Sequence, residues 1–161
     1  METIYLAGGC FWGMQKYFDQ FYGVVSTEVG YANGPDEAPS YEDVCNDSGH
    51  AETVKIDFDE ERINLEKLLD CYFAVIDPVS VNKQGGDCGI QYRTGIFYAD
   101  GQQLPAIQAV YDREQEKAGE KLAVIVEPVE NFFPAEDYHQ KYLNKNPGGY
   151  CHIPKVFFGN R

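Results

Sequence analysis

The 161-residue chain, with 43% apolar and 24% charged residues, is long enough for one domain with a hydrophobic core and too apolar to be wholly disordered. Thirteen basic against 26 acidic residues leave a net charge of −13, which excludes a general electrostatic hold on DNA, RNA or an anionic membrane. No run of about 20 apolar residues and no basic-then-apolar leader is present, so a cytoplasmic protein with no nucleic-acid or membrane partner is expected.

Ile4 to Ala7 reads as a short strand running into Gly8-Gly9. Phe11, Met14, Phe18 and Phe21 recur at helical spacing, which predicts a helix from Cys10 to Phe21 that Gly23 terminates. The β-branched stretch Val24 to Tyr31 is a second strand. Asn33 to Gly49 carries Gly-Pro, Pro-Ser and Ser-Gly steps and reads as a long loop with one helical turn near Ser40 to Cys45. Loops of this length often hold sites. Strand alternation then puts Glu52, Val54, Ile56 and Phe58 on one face and Thr53, Lys55 and Asp57 on the other.

A helix follows from Asn64 to Val75, ended by Asp77-Pro78. Val79 to Tyr92 is a second glycine-containing loop, and Thr94 to Tyr98 the next strand. Pro105 suits the first turn of a helix running to Ala118. Leu122 to Val126 is the most continuously apolar strand candidate. Ala135 to Leu143 reads as a final helix between Pro134 and Pro147, followed by an irregular tail. The order β-α-β-β-α-β-α-β-α predicts an α/β domain with helices packed on a mixed sheet.

Chemistry gathers at a few points. Gly8-Gly9-Cys10-Phe11-Trp12-Gly13 puts the Cys10 thiol at a strand-to-helix turn, where helix amides stabilise a thiolate. A small buried apolar side chain is the other reading of Cys10, and local sequence leaves both open. Phe11 fits the apolar helix face, whereas Trp12 falls off it. Glu52 shares a strand face with three apolar residues, so burial would raise its pKa toward the range of a general acid. His50 lies close enough in sequence to join it in a polar cluster, or to sit in solvent. Asp87, in Gly85 to Arg93, reads either as a turn cap or as a pocket carboxylate. Tyr41 and Tyr92 come from the two long loops. Five cysteines are an odd number, and no Cys-x-x-Cys or His-x-x-x-His pair occurs. They read as thiols for a reducing compartment; no metal site and no cofactor are expected.

Taken together, these stretches resemble the peptide methionine sulfoxide reductase family, type A. The resemblance is carried by Gly9-Cys10-Phe11-Trp12-Gly13, Ser40-Tyr41-Glu42-Asp43-Val44-Cys45, Gly49-His50-Ala51-Glu52, Gly85 to Arg93, Pro134-Ala135-Glu136-Asp137-Tyr138-His139-Gln140 and Gly149-Tyr150-Cys151. These motifs run in order through nearly the whole chain. They imply an α+β plait, that is, a ferredoxin-like core with elaborations, forming one reductase domain over 1–161 with 144–161 as a flexible resolving tail.

The implied activity is reduction of the S epimer of methionine sulfoxide, free or in proteins, by a monomeric enzyme of oxidative-stress repair. By the resemblance Cys10 is the nucleophile and Glu52 the proton donor. Tyr41, Asp87 and Tyr92 arrange the sulfoxide oxygen and its hydrogen bonds, while Phe11 and Trp12 wall the substrate methyl. Cys151 resolves the Cys10 sulfenic acid into a disulfide, which thioredoxin reduces. Two features depart from the family pattern: no further cysteine follows Cys151, and Cys88 stands beside Asp87 where an aliphatic residue is more usual. A thiol peroxidase would use the same two cysteines, and turnover of peroxide in place of methionine sulfoxide distinguishes it. A non-enzymatic module binding an apolar side chain through Phe11 and Trp12 is the third reading.

Overall fold

The computed structural model describes residues 1–34, 39–45, 49–154 and 157–158. Part of the loop read from Asn33 to Gly49, and part of the tail, lie outside these residues. The first half of the fold is two interleaved β-α-β units. Strand β1 (Glu2–Gly8) leads through α1 (Phe11–Asp19) to β2 (Val24–Ala32), and β3 (Ala51–Phe58) leads through α3 (Leu65–Val75) to β6 (Thr94–Tyr98). A short helix α2 (Tyr41–Cys45) lies between β2 and β3, and a small hairpin, β4 (Lys83–Gln84) with β5 (Asp87–Cys88), lies between α3 and β6. The four long strands lie in the order β6-β1-β3-β2, with β1 antiparallel to both β3 and β6. That is the ferredoxin-like arrangement inside a mixed sheet.

Both edges of this core are extended. Helix α4 (Leu104–Ala118) returns the chain so that β7 (Ile125–Pro128) pairs parallel with β6; β8 (Phe132–Pro134) pairs antiparallel with β2 at the far edge. Asn64 starts α3 by accepting the Lys67 N–H at 2.8 Å. The main core lies on the helical face, where Ile4, Leu6, Val54, Ile56 and Phe58 meet Phe11, Met14 and Phe18 of α1 and Leu68, Leu69 and Tyr72 of α3. Glu52 is on this face, as alternation predicts. A smaller cluster of Ala7, Ala32, Ala51 and Phe97 forms separately.

Two expectations are corrected. Leu122 and Val124 are buried, but the strand begins only at Ile125. Ahead of it, the Ala123 N–H donates to the Pro78 carbonyl at 2.7 Å, outside the sheet. Apolar continuity there reports burial and not strand pairing. Nor is Ala135 to Leu143 one helix. It holds a 3-10 turn (Asp137–His139), a left-handed residue at Lys141 (φ 55°) and the short helix α5 (Tyr142–Lys145).

Tertiary bonds account for the break. The Gln140 amide sits against the backbone of β2: its Oε1 accepts the Val29 N–H at 3.0 Å and its Nε2 donates to the Val29 carbonyl at 2.8 Å. Lys141 donates its N–H to Gln15 Oε1 at 2.7 Å and places its Nζ 2.6 Å from Asp19. A continuous helix would lose these contacts. Gln140→Ala leaves the N–H of fully buried Val29 without this acceptor, so a destabilisation of about 1–3 kcal/mol is expected. Urea unfolding measures it, and a change below about 0.5 kcal/mol contradicts the strand-capping role.

Candidate active site

Sheet register brings the sequence candidates to one end of the fold. Gly8 of β1 lies opposite Thr94 of β6, Ala7 opposite Thr53 of β3, and Tyr31 of β2 opposite Glu52. Cys10 follows β1 by two residues, Glu52 is second in β3, and Tyr92 precedes β6 by two. Gly9 turns the chain from strand into helix at φ 91°, a conformation that favours glycine. Cys10 therefore occupies the N-cap of α1, with the Trp12 N–H directed at its sulfur.

Cys10 is 7% exposed. The expected lowering of its pKa by helix amides is overturned. Burial is the largest influence and pushes the thiol well up; Glu52, Asp87 and Cys151 add to the rise, against the Trp12 N–H. The resting group is a neutral, buried thiol at a helix start, which unites the two readings that local sequence left open.

Glu52 is 1% exposed. Its Oε1 accepts the Phe11 N–H at 3.2 Å, and its Oε2 is buried with no partner among the described residues. Burial first, and Asp87 second, push the carboxyl up to about 8 against the Phe11 hydrogen bond. At neutral pH it therefore holds a proton it can give away. In that neutral state it also removes its own charge from beside the Cys10 thiol.

Asp87 lies on β5, and its Oδ2 is buried without a partner among the described residues. The Tyr150 hydroxyl donates to Asp87; burial first, then this carboxylate, push the phenol up to about 12. Tyr41 opens α2, and its ring centroid is 4.5 Å from that of His139. Tyr92 ends a 3-10 turn with its N–H donating to the Gly89 carbonyl at 3.0 Å. Phe11 is 1% exposed and packs on Tyr31 and His139. Trp12 is half-buried and stacks on Tyr142 at 3.8 Å and 10°. Cys151 approaches the first turn of α1, with its thiol donating to the Ile153 carbonyl at 3.5 Å. Cys88 is exposed on β5, and the Cys45 side chain lies outside the described residues. His50 is buried against Phe133 and Gly34.

A second layer was not singled out from the sequence. The Trp12 indole N–H donates to His139 Nδ1 at 2.9 Å. Glu136 accepts the Tyr31 hydroxyl at 2.8 Å and the Tyr41 N–H at 3.0 Å. These bonds outweigh its partial burial and hold the Glu136 carboxyl below its ordinary range. The signal lay in the spacing of Glu136 and His139 within a quoted motif, but their partners are 95 to 127 residues away.

Among the described residues no group of three or more His, Cys, Asp or Glu side chains is placed to hold a metal. The Peptide methionine sulfoxide reductase family model matches residues 2–158. The peptide methionine sulfoxide reductase MsrA of Clostridium acetobutylicum is 54% identical over 156 residues, 96% of each chain. Reduced Mxr1 from Saccharomyces cerevisiae superposes with a TM-score of 0.88 at 38% identity, covering 93% of this chain and 88% of that one. Mxr1 in complex with Trx2 matches with a TM-score of 0.62 at 26% identity, covering 88% and 84%.

The raised carboxyl has a consequence for stability. An acid whose folded pKa lies above its unfolded value favours the fold below the unfolded value, and that contribution is lost as pH rises through the folded one. From about pH 4.5 to about 8, Glu52 ionises in the unfolded chain while the folded protein keeps its proton, so its contribution to stability falls across that window. Glu52→Gln keeps an acceptor for the Phe11 N–H and carries no charge. Its melting temperature should exceed that of the wild type, by a margin that widens from pH 5 to 8.5. A constant or shrinking margin in calorimetry contradicts the raised pKa.

Proposed function

The chain belongs to the type A peptide methionine sulfoxide reductase family, oxidoreductases of protein repair that reduce the S epimer of methionine sulfoxide by cysteine chemistry, and on that premise we propose that Cys10 is the nucleophile, Glu52 the proton donor and Cys151 the resolving thiol. It is an enzyme of that type. The observation that carries the assignment of roles is the buried Glu52 carboxyl beside the Cys10 turn, one oxygen held by the Phe11 N–H and the other without a partner among the described residues.

A sulfoxide sulfur accepts a nucleophile readily only when its oxygen takes up positive charge. Glu52 supplies the proton to that oxygen as Cys10 sulfur attacks. The attack forms a bond between the two sulfurs as the thiol proton restores Glu52; the oxygen then passes to the Cys10 sulfur as the substrate S–O bond and the sulfur–sulfur bond break, so that methionine leaves and Cys10 becomes a sulfenic acid. Sulfoxide sulfur gains the two electrons that Cys10 loses. Cys151 then attacks the sulfenic acid, giving a Cys10–Cys151 disulfide and water.

Asp87, Tyr41 and Tyr92 organise the oxygen side, and Phe11 and Trp12 the methyl side. Trp12 suits that task because His139 and Tyr142 fix its indole from two directions. A thioredoxin completes the cycle by thiol–disulfide exchange; the Trx2 complex of the yeast relative supports that choice of reductant. A reducing, cytoplasmic setting belongs to the same proposal, because five cysteines in a chain of this size suit thiol chemistry better than a disulfide framework. The thiol peroxidase reading shares the sulfenic acid but makes no use of an aromatic wall, and the family favours the reductase.

One equivalent of S-methionine sulfoxide separates the roles. With a small dithiol in excess, Cys10→Ser should lose nearly all turnover while remaining folded. Glu52→Gln should release its first methionine roughly 10²–10⁴-fold more slowly. Cys151→Ser should release the first methionine at a near-normal rate, accumulate the Cys10 sulfenic acid and lose thioredoxin-driven turnover. Peptide mapping after rapid alkylation identifies the wild-type disulfide. Substantial activity without Cys10, or a dominant Cys10–Cys88 bond, overturns the assignment.

A further inference from the structure

The residue after Cys151 is a half-buried histidine for which the chemistry above has no use. His152 lies across the active-site turn, with its Nε2 2.9 Å from the Gly8 carbonyl oxygen. A carbonyl only accepts, so Nε2 carries the proton. Burial holds the imidazole below its ordinary pKa, against the Gly8 carbonyl and Asp87, so the ring is neutral. Its Nδ1 is then a free lone pair, buried and without a partner among the described residues. A buried acceptor without a donor is rare enough to call for a function.

The ring lies close against α1 because glycine leaves room for it. A β-carbon on Gly9 would fall 2.9 Å from His152 Nε2, and one on Gly13 would fall 3.4 Å from Nδ1 and 2.9 Å from Cys151 Sγ. The unpaired nitrogen and the Cys151 sulfur thus flank the same point on the first turn of α1, just past Cys10. Cys151 needs a base there. Burial raises its thiol, with Asp87 adding and a backbone hydrogen bond from Ile153 and the Lys16 charge opposing. Of the carboxyl groups nearby, Glu52 holds its proton at neutral pH, and Asp87 has one oxygen engaged by the Tyr150 hydroxyl and its Oδ2 buried without a partner among the described residues.

We propose that His152 is the general base of the resolving step, its Nδ1 taking the Cys151 thiol proton as that sulfur attacks the Cys10 sulfenic acid. The S–S bond forms as the S–O bond breaks; Cys151 is oxidised and the Cys10 sulfur reduced. The imidazolium returns the proton to the departing hydroxide, which leaves as water. No outside oxidant or reductant enters. This proposal rests on the Cys10–Cys151 reading above.

The groups around the imidazole whose charge bears on the test are Asp87 on the hairpin, Cys10 and Lys16 on the α1 side, and Tyr150 and Cys151 in its own segment. The experiment is a single turnover of the full chain with S-methionine sulfoxide. It follows methionine release and Cys10–Cys151 disulfide formation separately, from pH 6 to 10, in wild type, His152→Gln and His152→Ala. Gln retains an N–H that can reach the Gly8 carbonyl but provides no base.

In both variants disulfide formation should slow 10–100-fold more than methionine release, and the deficit should shrink as pH approaches the ionisation of the thiol itself. Imidazole added to the Ala variant should restore part of the rate. A Gln variant that forms the disulfide at the wild-type rate overturns the proposal, as does an equal slowing of both steps at every pH. If the wild type forms no Cys10–Cys151 disulfide, the underlying assignment fails instead, and mapping shows that directly.

Discussion

The proposed chemistry depends on one buried carboxyl group. Glu52 is the second residue of a central strand, on the face that otherwise meets helices, and among the described residues the one hydrogen bond to its carboxyl comes from the backbone of α1. The group is 1% exposed, and burial keeps its proton on to about pH 8. Its neighbour Cys10 experiences the same burial and keeps its proton too. On the proposed mechanism the pair is uncharged at rest, and the S–O group of an incoming sulfoxide takes the Glu52 proton. Moving Glu52 by one position would send it to the opposite face of β3 and dissolve the arrangement.

The long chain after β7 closes this end of the sheet. It pairs with β2 through β8, inserts the Gln140 amide where another strand would bond, and turns left-handed at Lys141 to reach α1. From that anchored base it delivers His139 and Tyr142 to the indole of Trp12, Tyr150 to Asp87 and His152 to Gly8. Farther on, Phe157 and Phe158 pack against Tyr17, and Gln20 donates to the Phe157 carbonyl. The segment around Cys151 is irregular in backbone but held at many points, and glycine at position 13 gives the sulfur its approach.

What the sequence revealed follows from where each interaction lies along the chain. Alternation through Glu52, Val54, Ile56 and Phe58 was enough to put the carboxyl on the buried face, and the strand from Thr94 to Tyr98 was read to the residue. Local signals sufficed because those elements bury what their pattern says. Strand β8 was invisible, since Phe132–Pro134 is three residues long and its partner lies about a hundred residues earlier. The segment from Ala135 carries helix start and stop signals at Pro134 and Pro147, yet Gln140 and Lys141 spend their bonds on β2 and α1. Cys10 was misjudged in one respect: the helix start that local sequence detects is real, but burial dominates its effect on the thiol, and burial is a property of the whole fold.

The central claim is that Glu52 is a neutral acid in the resting protein, and its carboxyl can be titrated directly. Infrared difference spectra of the wild type against Glu52→Gln isolate the C=O stretch of this one protonated group. The band should persist through pH 7 and disappear with a midpoint near 8. A midpoint near 4.5, the ordinary value for glutamate, would mean that the group is ionised at neutral pH and has no proton to give.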